Sequence, residues 1–287
     1  MIPARFEYAA PTTVAEACRL LATTPGAKVL AGGMSLIPAL KPRLSQPSLL
    51  VDIGRIQQLS GVSKSWGKLH IGACTTHAEL VDHPELPDFP AFSDTARVIG
   101  DPQVRNRGTI GGSLAYADPA ADWPALFLAL EGEAGLVGAR GKRKVKAEDF
   151  FLRMLSSDIG ADELLTEIII PAATKRSGAA YCKLRHQASG LAVVGVAARL
   201  TMDRKGRISE ATIGVTGVNT IAFRARSIEP LLVGVEPGRE SFERICADIA
   251  EADPMEDRLA PPDYRRQLLK VQTLKALETA VARSRSN

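Results

Sequence analysis

Two short stretches, each built around a pair of adjacent glycines, carry the residues best suited to bind an anion. One is Ala31-Gly32-Gly33-Met34-Ser35, and the other is Arg105-Asn106-Arg107-Gly108-Thr109-Ile110-Gly111-Gly112-Ser113. Glycine adopts positive φ readily and lets a ligand approach the backbone closely, so consecutive N–H groups can turn toward one anion. The hydroxyl side chains beside each pair add further donors. Two loops of this design predict the two walls of a single diphosphate site.

Either glycine pair alone is equally typical of a tight turn after a strand, so the elements around it matter. Residues 1–55 predict a small α/β unit around the first pair. Its helix begins at a Thr12 or Thr13 cap that Glu16 can complete as a capping box, and it ends at Pro25-Gly26. A short buried strand is predicted at residues 28–31, immediately before Gly32-Gly33, and another strand at 49–53.

The second glycine pair falls inside a second predicted unit, residues 56–174. Periodicity and turn residues predict strands at 69–73, 134–137, 142–146 and 162–171, and helices at 75–80, 89–99 and 123–130. The polar segment 172–178 separates these units from a third, so we predict domains at 1–174 and 178–287. The third unit is predicted to have strands at 180–184, 192–202 and 207–218, and helices at 223–232, 239–250 and 263–282. In the last helix the expected apolar stripe is Tyr264, Leu268, Val271, Leu274 and Val281.

Composition excludes several functional classes. With 45% hydrophobic and 24% charged residues and a net charge of +4, the chain is typical of a globular protein and not of a nucleic-acid binder. The densest basic run, 140–146, has no aromatic residue to stack on bases, so a solvated hairpin is expected there. No apolar run is long enough to span a membrane, and the first residues lack a signal-peptide core. The four cysteines form no Cys-x-x-Cys pair, which indicates reduced thiols in a cytoplasmic protein: Cys18, Cys74, Cys182 and Cys246.

Motifs for independent catalysis are absent. No two glycines are two positions apart, so the dinucleotide motif Gly-x-Gly-x-x-Gly is excluded. Gly141-Lys142-Arg143 lacks the upstream glycine and the hydroxyl residue of a P-loop, and no serine lies in a Gly-x-Ser-x-Gly elbow. The histidines have no metal-ligand spacing and are predicted to be ordinary, partly exposed residues: His70, His77, His83 and His186. An enzymatic role would therefore need a cofactor to supply the chemistry.

The two glycine stretches, together with the residues after the second, carry a resemblance. The second continues through Leu114-Ala115 into Asp118-Pro119-Ala120-Ala121-Asp122-Trp123-Pro124-Ala125. With Ala31-Gly32-Gly33-Met34-Ser35 upstream, the chain closely resembles the FAD-binding medium subunit of the molybdenum hydroxylases. That family includes xanthine dehydrogenases, carbon monoxide dehydrogenase and related aromatic or aldehyde hydroxylases. The resemblance covers essentially the whole chain.

The resemblance implies an α+β fold, with a two-part FAD-binding domain of the PCMH type followed by a three-stranded antiparallel sheet with helices. It implies an oxidoreductase subunit that passes electrons from [2Fe–2S] clusters of a small partner chain through FAD to an external acceptor. A large partner chain with the molybdenum cofactor would hydroxylate the substrate. Met34 stands where many relatives have histidine. Carried over position by position, the FAD-binding residues would be Ala31, Gly32, Gly33, Met34, Ser35, Thr109, Gly111, Gly112, Ser113, Asp122, Leu165 and Lys183.

Some roles stay open at this point. Asp122 matches an acidic position that would accept hydrogen bonds from ribityl or ribose hydroxyls, and it could also cap the helix that begins at Trp123. Leu165 and Lys183 match positions near the adenine and isoalloxazine edges. Two rival functions remain: a self-sufficient flavin oxidase of the vanillyl-alcohol oxidase class, and an adaptor that kept the fold but lost the flavin. No catalytic residue is predicted in this chain.

Overall fold

The computed structural model describes residues 2–285, which form three units along the chain. The first unit is a three-stranded parallel sheet with the strand order β1-β3-β2. The predicted helix start is confirmed, because the Thr13 hydroxyl accepts the Glu16 N–H at 3.2 Å. The strand before the first glycine pair is present but not buried, since Lys28 at its start is exposed. The elements are β1 Glu7–Ala9, α1 Val14–Thr23, β2 Lys28–Leu30, α2 Leu36–Leu40 and β3 Leu49–Asp52, and a 3-10 helix spans Gln57–Leu59.

The second unit is a five-stranded antiparallel sheet in the order β4-β5-β10-β6-β7, accompanied by five short helices among the described residues. The predicted hairpin of the basic run is present as β6 and β7, and four of the first five β7 residues are exposed. The strands are β4 Val62–Ser65, β5 Lys68–Gly72, β6 Glu133–Gly138, β7 Gly141–Lys146, β8 Phe151–Arg153, β9 Ser156–Ser157 and β10 Leu164–Pro171. The helices are α3 Pro90–Arg97, α4 Pro102–Arg105, α5 Ile110–Tyr116, α6 Trp123–Ala129 and α7 Ala147–Phe150.

The helix predicted at residues 75–80 is wrong. Thr76 and Glu79 make the expected cap-like contacts, the Glu79 carboxylate accepting from both the N–H and the hydroxyl of Thr76 at 2.7 Å. The backbone nevertheless forms turns. His77 N–H donates to Gly108 O and Ala78 N–H to Arg105 O, so these groups pair with the second glycine stretch instead of a helical turn of their own.

The third unit is an antiparallel sheet in the order β11-β12-β13-β14, covered by helices. The three predicted strands are present, and a two-residue β14 extends the sheet. Residues 223–232 are helical only at their end, because Phe223 and Arg224 pair with β13. The helix predicted at 239–250 ends early, at Ile245. The elements are β11 Ser177–Arg185, β12 Ala192–Met202, β13 Ile208–Thr216, β14 Phe223–Arg224, α8 Glu229–Leu232, α9 Arg239–Ile245 and α10 Pro262–Ser284.

The long helix α10 is confirmed, and its predicted apolar stripe is confirmed in part: Val281 is buried, and Leu268 and Leu274 pack against the core cluster. The other two members of the stripe lie outside the core. Tyr264 and Val271 are 48% and 43% exposed. The face that packs on β11 and β12 is narrow and rich in small residues, including Ala276 and Ala280. A Cβ on Gly178 would overlap the carbonyl oxygen of Ala280, so the helix lies very close to the sheet. The close approach at Gly178 selects small side chains there, although Leu269 and Leu277 on the same helix are also buried.

The second and third units share a core. The largest apolar cluster lies mainly in the second unit but includes Tyr181, Ala197 and Ala222 of the third. Helix α6 packs against β12 and β13, where a Cβ on Gly214 would overlap the carbonyl oxygen of Ala125. The α+β class is thus confirmed, and α6 ties the third sheet to the unit that carries the second glycine pair. Across residues 2–285, no helix combines the length and apolarity that a membrane crossing needs.

Candidate cofactor site

The two glycine stretches meet in the structure. We call residues 30–36 the first glycine loop and residues 105–113 the second. The first follows β2 and turns at Gly33, whose φ is +77°. A Cβ on Gly32 would overlap the carbonyl oxygen of Arg107, and a Cβ on Gly112 would lie 3.8 Å from the Ala31 side chain. The prediction that the two loops form adjacent walls therefore agrees with the packing.

The first glycine loop presents unpaired donors. The N–H groups of Gly32, Gly33, Met34 and Ser35 donate to no acceptor among residues 2–285, although both glycines are buried. Buried backbone N–H groups are almost always paired, and leaving one unpaired costs about 1–3 kcal/mol. This loop therefore has the donor set that an anionic ligand would satisfy.

The second glycine loop is built differently from the prediction. Thr109 is the N-cap of α5, and its hydroxyl accepts the Gly112 N–H at 3.1 Å. Gly111 N–H donates to Ala73 O at 2.9 Å, and Ser113 N–H to Thr109 O at 3.0 Å. The N–H groups of Gly111, Gly112 and Ser113 are thus engaged within the protein. This loop therefore offers a ligand two things: a close approach at its glycines and the Ser113 hydroxyl.

Glycine is required at position 111 by packing alone. A Cβ there would lie 2.5 Å from the Ala73 side chain and 2.6 Å from its carbonyl oxygen. Ala73 lies at the end of β5, and its own N–H donates to Thr166 O of β10 at 3.0 Å. The sheet of the second unit therefore fixes the start of α5 through two consecutive backbone hydrogen bonds.

A buried histidine supports the second loop from behind. His77 N–H donates to Gly108 O at 2.9 Å, and Trp123 Nε1–H donates to His77 Nδ1 at 3.0 Å. Burial, with a smaller contribution from Arg105, lowers the pKa of His77 to about 4, so the ring is neutral at pH 7. The expectation of a partly exposed His77 is wrong, since it is 5% exposed.

Asp122 and Lys183 form a buried ion pair. Lys183 Nζ lies 2.8 Å from Asp122 Oδ1, and the side chains are 2% and 3% exposed. Tyr181 Oη–H donates to the same carboxylate at 2.5 Å, and Lys183 also donates to Gly190 O at 2.8 Å. Burial raises the pKa of the Asp122 carboxyl, and the Lys183 ammonium opposes that shift. The cap interpretation of Asp122 is wrong, because its side chain makes no cap hydrogen bond.

Leu165, the remaining predicted site residue, lies in β10 and is 5% exposed. It belongs to the largest core cluster and pairs with Leu136 of the neighbouring strand. Its neighbour Thr166 is the residue that holds Ala73 behind the second loop. The structure thus brings together the two loops, and separately Asp122 with Lys183, while Leu165 contributes mainly to the core.

The roles of His77, Trp123 and Tyr181 were not predictable from the sequence. His77 and Trp123 are 46 positions apart, and Tyr181 and Asp122 are 59 apart. No spacing rule links residues across such distances. The only signal was local: Trp123 follows Asp122 directly, and Tyr181 precedes Lys183 by two positions, on the same face of a strand.

Among residues 2–285 there is no group of three or more histidine, cysteine or acidic residues that could hold a metal ion. All four cysteines are free. The arrangement can therefore hold an anionic ligand between two backbone loops.

Comparisons with known proteins show the family to which the chain belongs. Residues 4–173 match the family described as the FAD binding domain in molybdopterin dehydrogenase, and residues 179–280 match the CO dehydrogenase flavoprotein C-terminal domain. The chain is 38% identical to the carbon monoxide dehydrogenase medium chain of Hydrogenophaga pseudoflava, over 99% of each chain. It is 35% identical to the 6-hydroxypseudooxynicotine dehydrogenase complex subunit alpha of Paenarthrobacter nicotinovorans, over 99% of this chain and 97% of the relative.

A solved structure extends the similarity to three dimensions. A chain of carbon monoxide dehydrogenase from Hydrogenophaga pseudoflava, in a form that lacks the Mo-pyranopterin moiety of the molybdenum cofactor, superposes with a TM-score of 0.94. The two are 39% identical over 99% of each chain. The predicted resemblance and fold class are thereby confirmed. This chain belongs to the FAD-binding medium subunits of the molybdenum hydroxylases.

Proposed function

We propose that this chain is the FAD-binding, electron-transfer subunit of a molybdenum-containing hydroxylase or dehydrogenase complex. Electrons would reach its FAD from [2Fe–2S] clusters of a small partner chain and leave to an external acceptor. The substrate would be hydroxylated on a large partner chain that holds the molybdenum cofactor. The observation that carries the proposal is the row of unpaired N–H groups in the first glycine loop, packed against the second loop.

The residues present fit a dinucleotide diphosphate. Backbone N–H groups can neutralise a dianion without burying a compensating lysine. We assign Ala31, Gly32, Gly33, Met34 and Ser35 to one side of the diphosphate. Thr109, Gly111, Gly112 and Ser113 are assigned to the other, where glycine allows the approach and the Ser113 hydroxyl is free to donate. The first loop supplies most of the backbone donors in this assignment.

Asp122 and Lys183 are proposed to border the rest of the cofactor. A carboxylate has about four lone-pair sites, so Asp122 can accept a sugar hydroxyl in addition to Tyr181 and Lys183. Such a contact would need a small opening of the buried pair, since both side chains are almost fully covered. Leu165 is proposed only as an apolar boundary. When bound, FAD supplies reversible electron storage, while the residues of this chain bind it and exclude water.

The relatives named above belong to enzymes whose names give different substrates, carbon monoxide and 6-hydroxypseudooxynicotine. Related flavoprotein subunits thus occur in enzymes with different substrates. This is expected if the substrate pocket belongs to another chain of each complex. We propose the domain limits 1–174, with parts 1–55 and 56–174, and 178–287. A cytoplasmic location is proposed because four free cysteines suit a reducing compartment.

Two rivals are less well supported. A self-sufficient oxidase of the vanillyl-alcohol oxidase class would need a substrate domain, whereas residues 179–280 match the C-terminal domain of a CO dehydrogenase flavoprotein. An adaptor without flavin would have no use for unpaired N–H groups on the buried residues Gly32 and Gly33.

The test is the absorption spectrum of the purified full-length chain, before and after addition of FAD. We expect one FAD per chain, bleached by dithionite and reoxidised by an added acceptor. Aldehydes, purines and aromatic acids should leave the bound flavin oxidised unless the other chains are present. Absence of flavin binding would support the adaptor, and prompt reduction by such a substrate would support the self-sufficient oxidase.

A further inference from the structure

We propose that Tyr181 is a positioning residue for the second glycine loop, which it reaches through Asp122, Trp123 and His77. The proposal rests on the FAD site proposed above and adds a residue from the third unit to it. Tyr181 does not belong to either loop. Its effect on FAD would pass through three hydrogen bonds, which are linked by the peptide bond between Asp122 and Trp123 and by the His77 residue itself.

The series begins at the Tyr181 hydroxyl, which occupies a space left by a glycine of the neighbouring strand. Tyr181 is 5% exposed, and its Oη–H donates to Asp122 Oδ1 at 2.5 Å. A Cβ on Gly195 of the neighbouring strand would overlap this hydroxyl oxygen. Only glycine at position 195 leaves room for the phenol, so the two strands β11 and β12 together define where the Asp122 carboxylate lies.

The third unit also holds the backbone that precedes Asp122. Thr216 Oγ1 lies 2.7 Å from the carbonyl oxygens of both Pro119 and Ala121. Gly217 N–H donates to Pro119 O at 2.7 Å, and Ala192 N–H donates to Ala120 O at 3.0 Å. The backbone of residues 119–121 is therefore fixed to the third unit, and Tyr181 with Lys183 fixes the side chain of Asp122, which follows this segment.

Trp123 connects Asp122 to the second glycine loop through His77. It follows Asp122 directly, is 1% exposed, and donates from Nε1 to His77 Nδ1 at 3.0 Å. The His77 backbone N–H in turn donates to Gly108 O. A Cβ on Gly108 would lie 2.6 Å from His77 Nε2, so the ring and the loop are in direct contact. A shift of Trp123 or His77 would therefore displace Gly108 and the start of α5.

Removal of the Tyr181 hydroxyl leaves the Asp122 carboxylate held from one side only, by Lys183. Packed side chains that act at a distance change a coupled binding equilibrium by about 2- to 30-fold. We expect Tyr181→Phe to weaken FAD binding about three- to tenfold within that range, and to change the visible circular dichroism of the bound flavin. Tyr264→Phe is the matched control, because Tyr264 is 48% exposed on α10.

The experiment titrates FAD into the full-length apoprotein by flavin fluorescence, at a temperature where thermal melting shows each variant to be folded. A merely structural Tyr181 would lower the melting temperature and leave the FAD Kd and the flavin dichroism of the folded protein unchanged. That result would overturn the proposal. If the wild-type chain itself bound no FAD, the proposed function would fail instead, so the two failures are distinguishable.

A second pair of variants tests the route. His77→Leu removes the acceptor for Trp123 Nε1–H, whereas His77→Asn keeps an oxygen acceptor near the position of Nδ1. We expect His77→Leu to weaken FAD binding and His77→Asn to restore most of the affinity. Tyr181→Phe should have little further effect in the His77→Leu background. Equal affinities for the two His77 variants, or fully additive effects of Tyr181→Phe and His77→Leu, would overturn this route.

Discussion

A Cβ added to Gly32 would overlap the carbonyl oxygen of Arg107, so the two glycine loops touch through their backbones. These residues are 75 positions apart in the sequence and lie in loops of different units. The contact explains why glycine is needed at position 32 even though its φ is not in the left-handed region. It also places the unpaired N–H groups of the first loop beside the second, which is the geometry on which the proposed FAD site depends.

Gly32→Ala is therefore expected to separate the loops. The added methyl group meets a backbone atom that cannot move aside without displacing residues 107 and 108. Core overpacking of this kind costs typically about 1–3 kcal/mol, and the displaced N–H groups should weaken FAD binding at least about tenfold. Gly238→Ala is the control, since a Cβ there has an ordinary contact at 3.6 Å. FAD affinity equal in both variants would contradict the site.

Gly112→Asp should abolish FAD binding while the protein stays folded. A Cβ at this position points toward the first loop, 3.8 Å from the Ala31 side chain, so the carboxylate would face the diphosphate. Loss of two or three charge-assisted hydrogen bonds, about 1.5–3 kcal/mol each, amounts to several orders of magnitude in Kd.

Gly112→Asn separates charge from bulk, because asparagine has nearly the same shape. A Cβ at position 112 also lies 2.7 Å from the Thr109 hydroxyl, so both variants should disturb the cap equally. FAD titration should rank the wild type above asparagine and asparagine above aspartate. Asparagine and aspartate variants of equal affinity would show that no anion lies there.

Asp122→Ala is expected to destabilise the protein strongly. The change leaves the Lys183 ammonium, in a side chain 2% exposed, without its carboxylate. Breaking a buried ion pair in this way costs about 3–5 kcal/mol, whereas replacing both partners by apolar residues is often nearly neutral. Urea unfolding should therefore show that Asp122→Leu with Lys183→Met is more stable than Asp122→Ala alone. A loss below about 1 kcal/mol for Asp122→Ala would mean that the pair is hydrated in solution.

The two glycine loops show which features of the site can be predicted from the sequence and which cannot. The two glycine pairs, each with a hydroxyl residue beside it, predicted that Gly32 and Gly112 line one site. This prediction needs only local sequence, because a glycine pair by itself indicates a backbone that a ligand can approach closely. The distribution of donors was not predictable: Gly111 and Gly112 use their N–H groups on Ala73 and on Thr109. The acceptor for the Gly111 N–H group is the carbonyl of Ala73, which follows β5 and lies 38 positions before Gly111 in the sequence.

Long-range packing also explains the errors outside the loops. Residues 75–80 have a helical capping pattern, but pairing with the second loop through His77 and Ala78 prevails. In α10 the apolar periodicity favoured Tyr264 and Val271, whereas the close approach at Gly178 selects alanine. In both cases a local preference of a few tenths of a kcal/mol per residue is weaker than the tertiary contact that replaces it.

The last prediction concerns pH and follows from the burial of His77. Its pKa is about 4 in the folded protein, against about 6.5 in an unfolded chain. As pH falls below 6.5, the unfolded state takes up a proton that the folded state does not bind until about pH 4. The free energy of unfolding should therefore fall across this window, by up to about 3 kcal/mol from this residue.

His77→Asn cannot titrate there, so the advantage of the wild type over this variant should shrink as the pH decreases. Urea unfolding at pH 7, 5.5 and 4.5 measures the difference in the free energy of unfolding between the two proteins. The contributions of the carboxyl groups cancel in this difference, because both proteins have the same ones. A difference that stays constant with pH would show that His77 is protonated as easily in the folded protein as in water, and that its bond from Trp123 is not maintained in solution.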